Sequence, residues 1–194
     1  MNGARSKHQR EVLEAESSTL RIVAVADTHS EPHAESAARI RALEPAAILH
    51  GGDIGRLEVL DALGEIAPVF AVRGNIDART PGLADSMTLA VRSQGRELLT
   101  VFLTHIAVQG PLVRADIAKR ARAEGAALVV CGHSHVPFMG RDKGITVFNP
   151  GSIGPRRFKL PIVFGVIDVA PDGVRLRHVD CETGEPWRPV KTAC

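Results

Sequence analysis

The stretch Leu20-Arg-Ile-Val-Ala-Val-Ala-Asp27-Thr-His29 decides the fold prediction, because a run of apolar residues ends abruptly in an acidic residue and a histidine. Near-continuous apolar runs of about four to eight residues are typical of strands that are buried on both faces. Four other runs have the same form, and each ends in a small polar cluster. The five predicted strands cover residues 20–26, 46–50, 68–73, 98–104 and 126–131.

Segments with helical spacing lie between several of these strands. Leu57, Leu60 and Leu63 recur at three-residue spacing, and Pro111 and Gly125 bracket a segment with one apolar face, as is typical of helix start and stop signals. The predicted helices cover residues 30–43, 57–63 and 111–125. Alternating strands and helices predict an α/β domain in which helices cover the faces of a sheet.

The last third of the domain has a different pattern. Residues 162–169 and 174–179 are predicted strands, and Pro171-Asp-Gly173 between them favours the turn of a β-hairpin. Antiparallel strands next to parallel ones indicate mixed sheets. We therefore predict a single domain over residues 20–180, preceded by a solvated extension (residues 1–19, disordered or briefly helical) and followed by a tail (residues 181–194).

Composition narrows the classes of function. The chain of 194 residues carries a formal charge of +2, only 4% aromatic residues and no Tyr. A net charge this small provides no strong electrostatic attraction to nucleic acid, and few aromatic rings are available to stack on bases. Eight histidines are unusual beside so few aromatics. Metal binding is one explanation, although His8, His33 and His178 are expected to be exposed.

Cysteine usage and hydropathy bear on the compartment. Three cysteines without a CxxC spacing do not form a disulfide framework, which favours a reducing, cytoplasmic setting. Cys131 ends an apolar run and is expected to be a buried thiol. No apolar stretch reaches about 18 residues, so we expect no membrane span and no membrane partner.

The polar clusters carry the chemistry. Ligands of α/β sheets bind at the carboxyl ends of the strands, so residues that are distant in sequence converge there. Carboxylate, amide and imidazole donors together suit borderline to hard divalent metals, and seven donors exceed what one tetrahedral ion uses, whereas two ions with a shared carboxylate would use them all. The candidate ligands are Asp27, His29, Asp53, Asn75, His105, His133 and His135.

These clusters resemble the five ordered blocks of the calcineurin-like metallophosphoesterases. The matching motifs are Asp27-x-His29, Gly52-Asp53 with His50 before it, Gly74-Asn75-x-Asp77, Thr104-His105 and Gly132-His133-x-His135. Asn149-Pro-Gly-Ser152 resembles the small prokaryotic phosphodiesterase branch. The resemblance implies a four-layer α-β-β-α sandwich of two mixed sheets flanked by helices, with a dinuclear metal site at one edge.

The resemblance also implies roles. Asp27, His29 and His135 would hold one metal ion; Asn75, His105 and His133 would hold the other. Asp53 would bridge them, and Asn75 would also contact a phosphate oxygen. The implied reaction is hydrolysis of a phosphodiester by in-line attack of a hydroxide that bridges the metals. Manganese is the expected metal, with nickel, iron, cobalt and zinc as alternatives.

Further residues near these motifs bear on the reaction. Many relatives place a histidine after the Gly-Asn pair, where it can protonate the leaving group, whereas this chain has Ile76, which cannot transfer a proton. Asp77 is therefore expected to serve a turn or to support a ligand. Arg156, Arg157 and Lys159 follow the Asn149 motif and are candidates to bind a phosphate, with Arg156 as the first choice; a solvated run of charges is the alternative.

Alternatives to the phosphodiesterase remain. A metal-dependent nuclease would share the metal motifs, but the near-neutral charge makes a nucleic-acid partner unexpected. A protein-binding scaffold of the same fold is a second alternative, since fold does not determine function. The expected partner is a small phosphate-ester substrate, and assembly into a homo-oligomer is left open.

Overall fold

The computed structural model describes residues 7–77 and 80–188. Within these ranges the chain forms three helices and fourteen strands. The helices are α1 (Ser36–Arg41), α2 (Glu58–Gly64) and α3 (Ala115–Ala123). The strands are β1 (His8–Ala15), β2 (Leu20–Val25), β3 (Ala47–His50), β4 (Val69–Ala71), β5 (Ser86–Ser93), β6 (Arg96–Thr104), β7 (Val108–Gln109), β8 (Leu112–Val113), β9 (Leu128–Val130), β10 (Phe138–Asp142), β11 (Ile145–Asn149), β12 (Val163–Ala170), β13 (Gly173–Asp180) and β14 (Pro186–Trp187).

Two mixed six-stranded sheets form the centre of the domain. The first has the order β1-β5-β6-β9-β11-β10, and the second has the order β14-β13-β12-β2-β3-β4. Strands β2, β3 and β4 run parallel to one another in the second sheet, as do β6, β9 and β11 in the first. The predicted hairpin is confirmed, because β12 and β13 pair antiparallel across Ala170 and Gly173.

Three separate apolar clusters define four layers. Alternate residues of β2 point to opposite faces of its sheet, as strand geometry requires. Ile22 and Ala24 face the first sheet in a core that also contains Leu89 and Val101. The opposite face of the second sheet packs against α1 and α2, and the outer face of the first sheet packs against α3. The predicted α-β-β-α sandwich is confirmed.

The helix predicted over residues 111–125 is shorter in the structure. Its first residues form the two-stranded β7–β8 hairpin, in which Leu112 and Val113 pair with Gln109 and Val108. The backbone N–H of Val113 donates to the carboxylate of Asp142, 2.9 Å away. The apolar spacing of the sequence did not reveal this competing partner, so α3 begins only at Ala115.

The N-terminal extension is a correction to the prediction. Residues 8–15 are neither disordered nor helical but form β1, which pairs in parallel with β5 at the edge of the first sheet. Arg10 forms an ion pair with Glu124, and His8 bonds to Ser86. The strand is charged because it is an edge strand with a solvent-facing side, and this composition concealed it in the sequence.

Three other expectations concern the burial of two side chains and a membrane span. Cys131 is fully buried, as predicted, but His178 is buried too, with only 3% of its surface exposed. His178 donates from Nε2 to the carbonyl of Asn149 at 2.8 Å, so the prediction of an exposed residue was wrong. No helix in the described part of the chain has the length and apolar character needed to cross a membrane.

Candidate metal centre

The candidate ligands lie on loops that follow parallel strands of both sheets. Asp27 and His29 follow β2, and Asp53 follows β3. His105 follows β6 directly, while His133 and His135 follow β9. Because these strand ends lie at one edge of the sandwich, residues from distant parts of the sequence converge there.

One group of donors contains Asp27, His29 and His135. Their ligand atoms all lie within 4.8 Å of one another. His135 Nε2 is 3.7 Å from Asp27 Oδ1 and 3.3 Å from His29 Nε2. The two imidazole rings are stacked with their centroids 5.2 Å apart. This geometry aims two imidazole nitrogens and one carboxylate oxygen at a common point.

A second group adjoins the first and contains Asp27, Asp53 and His105, again within 4.8 Å. His105 Nε2 is 3.4 Å from Asp53 Oδ1, and His29 Nε2 is 3.7 Å from Asp53 Oδ2. The two oxygens of Asp53 thus face one histidine of each group. The His133 ring lies beside that of His105, with centroids 5.2 Å apart.

The backbone is strained at these residues. Five of the seven candidate ligands have φ values in the left-handed region: Asp27 (55°), His29 (46°), Asp53 (53°), His133 (73°) and His135 (58°). Such conformations cost about 1–3 kcal/mol each in non-glycine residues and cluster at ligand sites, where the surrounding structure enforces them. The strain turns the side chains toward one another at the end of the strands.

Asp77 fixes the loops that carry Asp53 and Asn75. Its carboxylate accepts hydrogen bonds from the backbone N–H groups of Ile54 (3.0 Å), Gly55 (2.9 Å) and Gly74 (2.8 Å). A Cβ atom on Gly74 would lie 2.2 Å from Asp53 Oδ1, so only glycine fits there. The carboxylate of Asp77 therefore supports the site by holding the backbone of the neighbouring loops, in accord with its expected role.

Other polar residues orient the remaining loops. Asn149 Nδ2 donates to the carbonyl of Gly132 at 2.8 Å and to the hydroxyl of Ser134 at 3.1 Å, within the segment that carries His133 and His135. His105 Nδ1 lies 2.8 Å from the carbonyl of Gly51, so Nδ1–H donates and Nε2 keeps its lone pair for a ligand. The Asn149 motif was singled out only through its resemblance to a family, and this supporting role was not predicted.

His50 lies beneath the site and not in it, as expected. Its Nε2–H donates to the hydroxyl of Thr28 at 3.1 Å, and its Nδ1 accepts the backbone N–H of Gly52 at 3.2 Å. Burial lowers the pKa of His50 to about 4, so the ring is neutral and serves as a hydrogen-bonded support.

Burial shifts the pKa values of several candidate ligands. Burial, reinforced by the negative charge of Asp53, raises the pKa of Asp27 to about 8, although the backbone N–H of His133 opposes the shift. Burial and the nearby Arg157 lower the pKa of His135 to about 4. Burial lowers the pKa of His29 and that of His105 as well. Metal binding requires deprotonated carboxylates and neutral imidazoles. The lowered pKa values favour neutral imidazoles, whereas a metal ion would compete with a proton for Asp27.

The donor set fits divalent metal ions. In the described part of the chain, His105 Nε2 and His135 Nδ1 are buried side-chain nitrogens without a hydrogen-bond partner. Buried polar atoms without a partner are rare and call for an explanation. Facing carboxylates and imidazole nitrogens match the N/O ligation that borderline divalent metals prefer.

The predicted ligand Asn75 is an exposed residue of the loop after β4. It precedes Ile76, whose backbone N–H donates to Asp53 Oδ1 at 3.1 Å. The side chain of Ile76 is 52% exposed. Asn75 therefore lies on a loop that is bonded to the centre, and its role as a ligand stays a prediction.

Arg156 does not reach the histidines. Its guanidinium donates to the carbonyl of Leu160 at 2.9 Å and pairs with the carboxylate of Glu182. The next residue, Arg157, places its guanidinium 3.0 Å from His29 Nε2. Of the two arginines, Arg157 is therefore the one beside His29, and phosphate binding by either stays a prediction.

Comparison with known proteins identifies the family. Residues 20–172 match the model of the calcineurin-like phosphoesterase superfamily domain. A probable metallophosphoesterase of Methanothermobacter thermautotrophicus is 31% identical over 139 residues, which is 72% of this chain and 77% of that protein. The chain belongs to the calcineurin-like phosphoesterase superfamily.

A second archaeal relative matches over a shorter length. A probable metallophosphoesterase of Methanocaldococcus jannaschii is 30% identical over 111 residues, or 54% of this chain. The alignment spans about half of that protein (52%).

Solved structures agree on the fold. A protein of Streptococcus pneumoniae described as a predicted phosphoesterase has a TM-score of 0.65 at 20% identity. The match covers 88% of this chain and 94% of that protein. Vacuolar protein sorting 29 of Cryptosporidium parvum has a TM-score of 0.70 at 16% identity, with 88% and 96% covered. A novel archaeal phosphodiesterase has a TM-score of 0.59 at 19% identity, with 82% and 100% covered.

Proposed function

We propose that this protein is a dinuclear, metal-dependent phosphodiesterase. The observation that carries the proposal is the convergence of Asp27, His29, His105 and His135 around Asp53, with two oxygens of Asp53 directed at histidines on either side. Manganese is the expected ion. Two divalent ions in such a site polarise a phosphoryl group and lower the pKa of a water molecule between them.

The chain's own residues would bind and orient the ester. Arg157, beside His29, offers N–H donors of fixed geometry that suit a phosphate oxygen. Asn75, on the loop fixed by Asp77, can donate its side-chain N–H to a second phosphate oxygen. A diester carries a single negative charge, which one guanidinium and one amide can contact without a larger basic surface.

Protonation of the leaving group is where this chain departs from many relatives. Ile76 lies beside the centre with its backbone N–H on Asp53, but an aliphatic side chain cannot transfer a proton. A general acid contributes about 10²–10⁴-fold to such reactions. We therefore expect a preference for diesters with good leaving groups. We also expect the substrate to be a small phosphate ester rather than nucleic acid.

A protein-binding scaffold is the second candidate. The fold similarity to vacuolar protein sorting 29 favours it, but this similarity is at 16% identity and concerns the fold. The donor set of this chain favours the enzyme. A scaffold needs no buried nitrogen like His105 Nε2, which lacks a hydrogen-bond partner in the described ranges.

The proposal is tested by metal content and hydrolysis. Purified protein is loaded with Mn²⁺ and analysed for bound metal, and hydrolysis of bis(4-nitrophenyl) phosphate and 4-nitrophenyl phosphate is measured. We expect two metal ions per chain and faster hydrolysis of the diester. In Asp53→Asn we expect activity to fall by more than about 100-fold, because one neutral amide replaces a carboxylate that faces both groups of donors.

A matched control separates chemistry from folding. Asp172→Asn removes a carboxylate that pairs with Arg175 at the exposed hairpin turn, and it should keep wild-type activity. Thermal unfolding of both variants shows whether each is folded. Fewer than one metal ion per chain after loading, or full activity of Asp53→Asn, would overturn the proposal.

A further inference from the structure

An apolar groove lies beside the metal centre, between the β7–β8 hairpin and β10. Its volume is about 540 Å³, which is in the range of about 300–1,000 Å³ found for small-molecule sites. Met139 is 49% exposed and Val136 43% exposed, although both are large apolar residues. The apolar side chains lining the groove are Val108, Val113, Val136, Phe138, Met139 and Val147.

Both walls of the groove are fixed by hydrogen bonds. Val113 in the hairpin donates its N–H to Asp142 at 2.9 Å, and its carbonyl accepts from Lys143 Nζ at 2.6 Å. On the other side, Phe138 and Met139 of β10 pair with Asn149 and Phe148 of β11. The groove is therefore preformed, and a ligand would bind without the cost of ordering its walls.

The groove is continuous with the metal centre. A smaller cavity of about 330 Å³ is lined by Gly132, His133 and Ser134 together with Val108 and Gly110. Three of these residues, Val108, Gly110 and Ser134, also line the groove. A molecule with its phosphate at His133 can thus extend past Ser134 into the apolar space.

Three polar side chains line the groove, and Ser134 and Asp142 have other partners, whereas Arg141 is an exposed residue of β10. Ser134 Oγ accepts the side-chain N–H of Asn149 and the backbone N–H of Val136. The carboxylate of Asp142 accepts from Val113 and lies 3.5 Å from Lys143 Nζ. Apart from Arg141, the groove therefore offers mainly apolar contact, which suits an alkyl or aryl group better than a nucleobase that needs several hydrogen-bond partners.

We propose that this groove binds an apolar ester group of the substrate, so that the substrate class is a phosphodiester with an alkyl or aryl substituent. The inference rests on the proposed phosphodiesterase function. A phosphate at the metal centre would place one ester group toward Ser134, and Val136, Phe138 and Met139 would remove that group from water.

The test is a series of methyl, butyl and hexyl 4-nitrophenyl phosphates, which share one leaving group. For the Mn²⁺-loaded wild type, kcat/KM should rise by about two- to fourfold per added methylene until the groove is filled, because each buried methylene favours transfer from water. Met139→Glu and Val136→Asp should reduce the hexyl-to-methyl ratio at least tenfold. Val174→Glu, at an exposed apolar residue of β13, should keep the wild-type ratio.

Calorimetric binding gives a readout independent of turnover. Hexylphosphonate should bind the Mn²⁺-loaded wild type at least tenfold more tightly than methylphosphonate, and Met139→Glu should abolish the difference. Hydrolysis of all three esters at equal kcat/KM would overturn the groove proposal and leave the phosphodiesterase proposal intact.

Two further outcomes are distinguishable. No hydrolysis of any ester, with the hexylphosphonate preference intact, would overturn the phosphodiesterase and support an apolar ligand site. A wild-type dimer in light scattering that Met139→Glu converts to a monomer would overturn the proposal, because a second copy of the chain would then cover the groove.

Discussion

The two sides of the metal centre are held in different ways. On one side, His105 is buried and its Nδ1–H is fixed by the Gly51 carbonyl, while Asp53 accepts the backbone N–H of Ile76. On the other side, His29 Nε2 lies 3.0 Å from the guanidinium of Arg157 and 3.3 Å from His135 Nε2. Backbone groups bond to both His105 and Asp53 on the first side. On the second side the backbone N–H of His133 bonds to Asp27, but the ring of His29 has side chains as its neighbours.

Because of this difference, the two proposed metal positions should differ in affinity. A ligand that is already oriented by backbone groups loses little freedom when a metal binds, whereas the His29 side must also displace or rearrange the guanidinium of Arg157. The positive charge of that guanidinium opposes a cation in the same place. We therefore expect tighter metal binding on the His105 side.

The largest expected effect comes from removing the ligands one at a time. His105→Ala should weaken the tighter Mn²⁺ site by more than about 100-fold, because even the outer partners of a metal ligand contribute about 10–100-fold. His29→Ala should weaken only the second site and leave the first within about threefold. Calorimetric titration of Mn²⁺ into metal-free protein measures both. Equal losses at both sites in either variant would contradict the difference between the two sides.

Much of the fold was predictable because the strands that matter are buried on both faces. Residues 20–26, apart from Arg21, and residues 126–131 form apolar runs, and β2 and β9 lie within them. Strand β1 was missed because an edge strand carries charged residues on its open side. The start of α3 was missed because the β7–β8 hairpin depends on Asp142, a partner about 30 residues away in sequence.

The candidate site was predictable where a motif follows a strand, and less so where tertiary contacts decide. The position of Asp53 followed from its strand, and the turn role of Asp77 was expected from its place after Asn75. The choice between Arg156 and Arg157 could not be made from the sequence, because adjacent residues differ only in direction. In the structure Arg156 pairs with Glu182, and Arg157 lies beside His29.

An intermediate effect is expected from the two arginines. Arg157→Ala should raise KM for bis(4-nitrophenyl) phosphate about tenfold, since a charge-assisted hydrogen bond contributes about 1.5–3 kcal/mol, while kcat changes less. The same variant should tighten Mn²⁺ binding on the His29 side, because a competing positive charge is removed. Steady-state kinetics and calorimetry measure the two effects.

Arg156→Ala is the matched control for this prediction. Its guanidinium contacts Leu160 and Glu182, so its removal should leave KM within about twofold and the Mn²⁺ affinities unchanged. A larger rise of KM in Arg156→Ala than in Arg157→Ala would restore the sequence prediction of Arg156 as the phosphate-binding residue.

The smallest effect concerns His178, which lies behind the Asn149 loop and should not change either metal affinity. Burial lowers the pKa of His178 below its ordinary value of 6.5, against a weaker opposing contribution from the Asn149 carbonyl. The unfolded chain therefore takes up a proton as pH falls below about 6.5, whereas the folded chain resists it. The free energy of unfolding should decline there by up to about 1.4 kcal/mol per pH unit for this group.

His178→Gln keeps a donor for the Asn149 carbonyl but does not titrate. It should be less stable than the wild type at pH 7.5, since it lacks the ring that packs against Phe148 and Trp187. The gap should narrow as pH falls through 6.5 to 5.5, because only the wild type loses the contribution of a neutral His178. Urea unfolding at pH 7.5, 6.5 and 5.5 measures the gap; a constant difference would show that His178 keeps its ordinary pKa in the folded chain.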